Sequence, residues 1–485
     1  MRHPCAILSE TVGVPESSLR LLLTILLAYP VAACYQSLFY SNSRKAKEDE
    51  KEKIKQQFTK AFETRNTYVL VSGLAMSTFF NGWAVYHSLL TLIVSYFLCL
   101  VFQYQRTVAV AGVWIFNAAY LLGGYYVMAA DDYDISWTMT QCILCLRLLG
   151  FSMDFMDGGI KTNITAITAE NKKVQTSRPL SFGANTALTT LPSLSQVAAY
   201  CFFPSSFLVG PQFSFSLYQE WLQFYEPHPS SKSKQRQRYA FKCAIWGIFY
   251  LVLQQLIGVH YPTTYLLTDD YAGLPLLRRC GIFWLVGKFV FTKYLGVWLL
   301  TEGATALFGI GYEGQLPNGQ YSFAGLANVD PIKYETATSI EHIIGSFNIN
   351  TNYWSKYHVF KRLRWMGSKT GSQMGTLAFL AIWHGFHYGY FTTFLMEFLD
   401  VMAEGILRKW IALLFPTWSN TPSSIKTILA WCLCSSTLFY AGVGFDLLSL
   451  TSSWVAYRQV YFIGHILLAS LLVSSLFLPS RIKKD

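Results

Sequence analysis

Charged residues are scarce in this sequence of 485 residues. Asp, Glu, Lys and Arg make up 13% of it, whereas hydrophobic residues make up 52% and aromatic residues 16%. Soluble domains contain roughly 25% charged residues, so this sequence has about half the usual share. Tyr and Trp concentrate where an apolar layer meets lipid headgroups, so the aromatic content fits a membrane protein. These proportions exclude an ordinary soluble domain.

The sequence also lacks the cysteine pattern of a disulfide framework or a zinc site. Cys142 and Cys145 form a CxxC pair, but the pair lies inside an apolar run and no second pair follows it. His384 and His387 form HxxH, yet no Glu follows His384 as it does in a zinc-binding HExxH helix. We therefore expect no bound metal and no redox chemistry.

No segment alternates polar and apolar residues as membrane β-barrel strands do, and no clear signal-peptide cleavage site follows the first apolar run. A helix needs about 20 mostly apolar residues to cross the hydrocarbon core. Such runs predict an all-α, polytopic membrane protein with about eleven transmembrane helices. No internal repeat is found, so residues 1–485 are predicted to form one membrane domain. The predicted spans are 19–40, 67–82, 84–104, 107–129, 136–155, 187–213, 240–259, 276–303, 374–399, 426–446 and 456–479.

The net charge of +11 comes mainly from loops between these runs. Positive-inside bias explains this distribution and places 161–186, 226–242 and 355–369 on the cytoplasmic side. A site for a polyanionic cosubstrate such as CoA is compatible with it, and nucleic acid is not expected as a partner. The run 187–213 must then enter and leave from one face. An amphipathic piece at 403–417 could lie in the interface, but the count of crossings fails near the C-terminus unless it also re-enters, so the topology stays open. Residues that permit a broken path in the first of these are Pro192, Pro204, Gly210 and Pro211.

Three polar segments interrupt the apolar runs. A Lys/Glu run at 44–63 is most simply a solvated loop or exposed helix. Asn163 begins a glycosylation sequon, which is usable only if it faces the lumen. Residues 310–372 form the longest segment without an obvious span.

Histidine is unusual inside an apolar run, because a polar residue in a span is costly and is a functional candidate by default. His384 and His387 are three positions apart in the run 374–399, so they would lie near one face of a single helix. Gly385 and Gly389 form a GxxxG pattern, which lets another helix approach closely. His384 is thus a candidate general base. A histidine that only hydrogen-bonds a neighbouring helix is the alternative.

Two further polar stretches lie upstream. Asn348, Asn350 and Asn352 alternate with other residues, and their uncharged amides could hold a substrate hydroxyl or carbonyl in a dry site. An Asn-rich turn is the alternative. Lys361 and Arg362 belong to a basic stretch that follows directly, which indicates either a clamp for CoA phosphates or a cytoplasmic interface helix.

These stretches resemble the motifs of one family. Residues 383–390 (WHGFHYGY) resemble the histidine motif of membrane-bound O-acyltransferases, and 346–352 (SFNINTN) resembles their asparagine motif. The likeness is closest to the phospholipid-remodelling branch, which acylates lysophosphatidylcholine. It covers nearly the whole chain, with the run 44–63 as an apparent insertion. Other similar stretches are 132–134 (DYD), 208–214 (LVGPQFS) and 301–303 (TEG).

The resemblance implies a chamber of membrane helices that opens to the cytosol for acyl-CoA and sideways to lipid. It implies a lysophospholipid as acyl acceptor, acyl-CoA as cosubstrate and no cofactor. His384 would be the general base, and Asn348 would position the hydroxyl or stabilise the oxyanion. Further substrate contacts are expected from Lys361, Arg362, Asn352, Trp383 and His387.

The resemblance also implies that the protein lies in the endoplasmic-reticulum membrane, with membrane lipids as partners. It leaves open whether the protein forms a homodimer. Other enzymes of the family acylate a sterol, a diacylglycerol or a protein, so a different acceptor is the first alternative. A lipid transporter or scramblase without chemistry is the second. Inverted repeats would favour the transporter, and none is found in the sequence.

Overall fold

The computed structural model describes residues 4–39, 51–128, 135–159, 182, 186–223 and 230–479. Contacts divide the chain into two compact units. Unit 1 comprises 1–128, 134–248 and 297–328, and unit 2 comprises 129–133, 249–296 and 329–485. The prediction of a single membrane domain stays a prediction. Asn163, residues 132–134 and the first part of the Lys/Glu run lie outside the described residues.

Unit 1 is built from helices, which satisfy their own backbone hydrogen bonds in lipid. A short antiparallel hairpin of β1 (Gly314–Gln315) and β2 (Tyr321–Ser322) pairs Gly314 with Ser322. The helices that lie in this unit or begin in it are α1 (Pro4–Val12), α2 (Glu16–Phe39), α3 (Lys51–Asn81), α4 (Val85–Val101), α5 (Arg106–Val127), α6 (Trp137–Gly159), α7 (Leu194–Cys201), α8 (Phe215–Gln223) and α9 (Ser230–Leu256).

Unit 2 contains the two segments with the histidine and asparagine motifs. Its helices α11 (Leu276–Phe308) and α17 (Ser423–Leu447) pack with their backbones pressed together, because a Cβ on Gly287 would lie 2.0 Å from the Phe439 carbonyl oxygen. The helices that lie in this unit or begin in it are α10 (Asp269–Ala272), α11 (Leu276–Phe308), α12 (Pro331–Glu335), α13 (Ile340–Ile344), α14 (Ile349–Ser355), α15 (Lys369–His384), α16 (Tyr388–Leu414), α17 (Ser423–Leu447), α18 (Leu450–Gln459) and α19 (Ile463–Ser474).

The all-α membrane class is confirmed, but the number of eleven spans is not. Among the described residues, seven helical segments are long and apolar enough to cross a membrane. An eighth is obtained if Leu450–Gln459 and Ile463–Phe477, which meet at 89°, count as one broken span. The qualifying segments are Glu16–Phe39, Ala61–Val101, Arg106–Val127, Trp137–Gly159, Lys232–Leu267, Leu276–Phe308 and Ser423–Leu447.

The predicted span 374–399 is wrong as one helix. Helix α15 ends at His384 and α16 begins at Tyr388. The run 187–213 is broken, as its prolines and glycine suggested, since α7 ends at Cys201 and irregular backbone continues to α8.

Arg147 supports this irregular backbone in unit 1. Its side chain is 1% exposed, and it donates to the carbonyl oxygens of Tyr200 (2.6 Å) and Cys201 (3.1 Å) and to Ser206 Oγ (2.6 Å). The last carbonyls of a helix have no partner within the helix. Water cannot supply that partner in lipid, so a buried guanidinium with several donors replaces it.

We predict that Arg147→Met destabilises unit 1 strongly. The change keeps an apolar stem but leaves buried carbonyls unsatisfied, at about 1–3 kcal/mol for each group. The measurement is the fraction of monodisperse protein left after heating in detergent. Arg238→Met, at an exposed position of α9, is the matched control and should behave like the unaltered protein. Equal behaviour of the two variants would contradict the supporting role of Arg147.

Candidate active site

His384 is the last residue of α15, and the geometry of its ring defines its tautomer. Its Nδ1 lies 2.7 Å from the carbonyl oxygen of Leu380. A carbonyl oxygen only accepts, so Nδ1 carries the proton and Nε2 of the neutral ring holds a free electron pair. The hydrogen bond that the structure describes for this ring is the one at Nδ1. The ring is therefore oriented as a general base is, with one nitrogen anchored and the other available.

Aromatic rings surround the imidazole. The Trp383 ring lies 4.5 Å away at 73°, and the Phe445 ring of α17 lies 5.4 Å away at 81°. Tyr390 and Phe394 of α16 lie at 5.5 and 5.4 Å. Such a lining excludes water and lowers the local dielectric, which strengthens hydrogen bonds and penalises an unpaired charge.

A sharp break follows His384. Gly385 has φ +126° and ψ −168°, a conformation that L side chains rarely adopt. The chain then turns, and His387 occupies the N-cap position of α16. The expectation that His384 and His387 lie on one face of a single helix is thus wrong. Sequence spacing could not reveal this, because three residues mean one helical face only where the helix continues.

Gly389 provides the close helix approach that the GxxxG pattern predicted. A Cβ on Gly389 would lie 2.2 Å from the Gly444 carbonyl oxygen, and its N–H donates to the Leu448 carbonyl at 2.8 Å. The first turn of α16 is thereby fixed to the end of α17, beside the Phe445 ring that contacts His384.

Asn348 occupies the N-cap position of α14, with φ 48° and ψ 45°. Asn adopts this left-handed conformation more readily than most residues. Its side chain makes no capping hydrogen bond, unlike a usual Asn N-cap. Asn352 stabilises the turn before α14, because its Nδ2 donates at 2.9 Å to the carbonyls of both Ile344 and Phe347.

Helix α14 packs on α15 through an aromatic contact. Trp354 of α14 is fully buried and stacks on Phe379 of α15 at 5.6 Å and 21°. Both segments belong to unit 2, so the fold brings the asparagine and histidine motifs onto neighbouring helices. Sequence separation alone did not predict this.

The basic stretch turns along α15. A Cβ on Gly375 would lie 2.7 Å from Leu363 Cδ1, and Gly375 precedes His384 by about 14 Å of helix. Lys361 is exposed, with Nζ 3.8 Å from the Tyr357 ring centroid, and Arg362 is half-buried. Burial and the Arg362 guanidinium lower the pKa of His358 to about 3, so His358 is neutral near pH 7.

Sequence reasoning missed an ion pair near the histidine. Lys293 Nζ lies 2.7 Å from Asp446 Oδ1, and the Thr263 hydroxyl donates to Asp446 Oδ2 at 2.8 Å. Asp446 follows Phe445, so the pair holds the segment of α17 that packs on the His384 ring. Both charges interrupt apolar runs, which is the signal that could have revealed them.

Within the part of the chain that the structure describes, no group of three or more His, Cys, Asp or Glu side chains could hold a metal ion. The chemistry proposed for the site needs none.

Comparison with known proteins identifies the family to which this chain belongs. Residues 122–441 match the membrane-bound O-acyltransferase family, MBOAT. The chain belongs to the membrane-bound O-acyltransferase family. It is 36% identical over 475 residues to a Mus musculus protein named Lysophospholipid acyltransferase 5, covering 96% of this chain and 90% of the relative.

Two further relatives come from an insect and a yeast. A Drosophila melanogaster protein of the same name is 35% identical over 416 residues, covering 85% of this chain and 76% of the relative. A Schizosaccharomyces pombe protein named Lysophospholipid acyltransferase is 29% identical over 353 residues, covering 70% and 66%. Membership of this MBOAT family makes the chain an acyltransferase embedded in a membrane. The roles of His384, Asn348 and the five substrate-contact residues stay predictions.

We predict that Asn348→Ala lowers acyl transfer far more than Asn352→Ala does, once the amount of folded protein is equalised. Asn348 follows Phe347 at the position of the family's asparagine motif, whereas the Asn352 amide holds the turn before α14. Asn352→Ala should lower the melting temperature instead. The measurements are the initial rate of acyl transfer and the melting temperature of each variant. An equal loss of activity in the two variants, at equal stability, would mean that Asn348 is not the catalytic asparagine.

We also predict that neutralising both partners of the Lys293–Asp446 pair is less harmful than neutralising one. A single change leaves a partly buried charge without its opposite, whereas the double change removes both. The double variant Lys293→Met/Asp446→Asn should therefore melt above either single variant. The control is Arg408→Met, which breaks the i,i+4 pair of exposed Arg408 with Glu404 and should shift melting little.

Proposed function

We propose that this MBOAT enzyme transfers a fatty acyl group from acyl-CoA to the free sn-2 hydroxyl of lysophosphatidylcholine and related lysophospholipids. The observation that carries the proposal is the anchored His384 ring, whose Nε2 is left available within an aromatic lining. The names of the curated relatives agree with a lysophospholipid acceptor. No cofactor is proposed.

The reaction balances with these groups. His384 Nε2 takes the proton of the acceptor hydroxyl as its oxygen attacks the thioester carbonyl carbon. An N–H of the Asn348 amide stabilises the negative charge that develops on the carbonyl oxygen. The carbon–sulfur bond then breaks, and the departing CoA thiolate recovers the proton through histidine or water. The products are an ester and free CoA.

Direct transfer is proposed in preference to a covalent acyl-cysteine. No cysteine occurs between Cys280 and Cys432, the interval that holds both Asn348 and His384. The thioester is already activated, so a second nucleophile is not required. Kinetics should be sequential, with both substrates bound before CoA leaves.

Exposed Lys361 and half-buried Arg362 are proposed to contact CoA phosphates, because two adjacent cations suit a polyanion. An endoplasmic-reticulum location is part of the proposal, supported by the family likeness, and a homodimer is left open. A sterol, diacylglycerol or protein acceptor is the alternative within the family. A lipid transporter or scramblase would move lipid without releasing CoA.

The test is acyl transfer from labelled acyl-CoA to a panel of lysophospholipids, a sterol and a diacylglycerol, in microsomes or nanodiscs. We expect ester formation with lysophosphatidylcholine and an equal release of CoA. His384→Ala should lower the rate by about 10²–10⁴-fold, the usual share of general-base catalysis. His387→Ala should retain measurable activity.

Both histidine variants must first match the unaltered protein in yield and melting temperature. If His384→Ala retained more than a few per cent of the activity, the assignment of His384 as the general base would be wrong. Acylation of the sterol or diacylglycerol alone would mean that this molecule, and not a lysophospholipid, is the acyl acceptor.

A further inference from the structure

The ring of Phe291 on α11 contacts both the asparagine motif and α17. It meets the Phe347 ring edge to face, with the ring centroids 5.4 Å apart at 88°. It also packs closely on α17, because a Cβ on Gly442 would lie 2.4 Å from Phe291 Cε2 and 2.7 Å from its Cζ. The missing side chain of Gly442 therefore leaves the room that the ring occupies.

Phe347 transmits this contact to Asn348, the residue that follows it. The same Phe347 ring stacks on Tyr334 at 5.5 Å and 28°. Its backbone forms an isolated antiparallel bridge with Val329, and its carbonyl accepts from Asn352 Nδ2 at 2.9 Å. Phe347 is thus held through its ring and its backbone, so a shift of its ring would move the adjacent Asn348.

Helix α17 transmits the contact in the other direction, to His384. Phe445 lies three residues, about 4.5 Å of helix, beyond Gly442. Its ring contacts that of His384 at 5.4 Å and 81°, and Tyr294 of α11 contacts it at 6.5 Å and 87°. Phe291 and Tyr294 are three positions apart, so one face of α11 contacts the neighbours of both motifs.

We propose that Phe291 is a positioning residue for acyl transfer, and that its ring sets the separation between Asn348 and His384. An aromatic ring is flat and rigid and packs at close to crystal density, so it acts as a spacer of fixed size. The inference rests on the proposed function, which gives Asn348 and His384 their roles.

The separation matters because the two groups act on one transition state. The Asn348 amide must reach the carbonyl oxygen while His384 Nε2 reaches the acceptor hydroxyl. A change in their separation leaves the substrates bound but weakens both contacts in the transition state. The effect should therefore fall on kcat and not on KM.

Three variants change the spacer without removing either catalytic candidate. Phe291→Leu removes Cε1, Cε2 and Cζ of the ring and leaves a gap beside Gly442. Gly442→Ala introduces a Cβ that would collide with Cε2 and displace the ring. The double variant removes the colliding atoms and fills part of the gap, because the new Cβ would lie 3.5 Å from the position of Phe291 Cδ2, an ordinary contact.

The first measurement is steady-state acyl transfer from acyl-CoA to lysophosphatidylcholine by the full chain in nanodiscs, for equal amounts of folded protein. Each single variant should lower kcat about 10- to 100-fold, because a misplacement of about 1 Å can cost 10²-fold. The KM for each substrate should change by less than about threefold. The double variant should have a higher kcat than either single variant.

The second measurement is a double-mutant cycle with Asn348→Ala, which separates positioning from simple packing. If Phe291 acts through Asn348, Phe291→Leu should lower kcat by less than about twofold once residue 348 is alanine. The matched control is Phe289→Leu on the same helix, where the ring packs against Gly258 and is 5% exposed. It should lower the melting temperature and keep kcat.

The proposal would be overturned if folded Phe291→Leu kept the kcat of the unaltered chain. A full second loss of kcat in the Asn348→Ala background would overturn it as well. Should Phe291→Leu yield no folded protein, Phe291→Met, which keeps more of the side-chain length, takes its place in both measurements. Absence of transfer from acyl-CoA to lysophosphatidylcholine by the unaltered chain would instead overturn the proposed function, and this inference with it.

Discussion

A polar group held away from water needs a partner within the protein, and a side chain provides or takes part in that bond at three places in the described structure. Arg147 donates to the carbonyls of Tyr200 and Cys201 at the end of α7. Asn352 donates to two carbonyls before α14, and His384 donates Nδ1–H to the Leu380 carbonyl within α15. The last of these bonds also determines the chemistry, because it assigns the proton to Nδ1 and leaves Nε2 available.

Irregular backbone occurs where the candidate catalytic residues lie. His384 ends a helix at Gly385, whose positive φ few side chains tolerate, and Asn348 itself adopts a left-handed conformation. A side chain at the end of a helix is less crowded by the neighbouring turns of its own helix. Contacts with the adjacent helix keep it in place. Gly389 and Gly444 provide that constraint, since their close backbones hold α16 against α17.

Two pairs of opposite charges form neutral combinations within unit 2. Lys293 faces Asp446 and Lys288 faces Glu335, each supported by a hydroxyl from Thr263 or Tyr250. Pairing lowers the cost of holding charge away from water, although it does not abolish it. The first pair supports the aromatic lining of His384. The second pair joins α11 to α12.

The sequence by itself determined the class, the family and the candidate residues. Apolar runs of helical length and few charges require a helical membrane protein, because those requirements are local. The motifs at 346–352 and 383–390 indicated Asn348 and His384 without coordinates, since residue type and spacing are written in the sequence. The tertiary structure decided what depends on packing. Gly385 breaks the run 374–399 and separates His384 from His387, although the hydropathy of the run is continuous. Lys293 and Asp446 are 153 positions apart, and only the contact of α11 with α17 pairs them. Local preference cannot specify such partners, because the free energy that selects them arises when distant side chains are buried together.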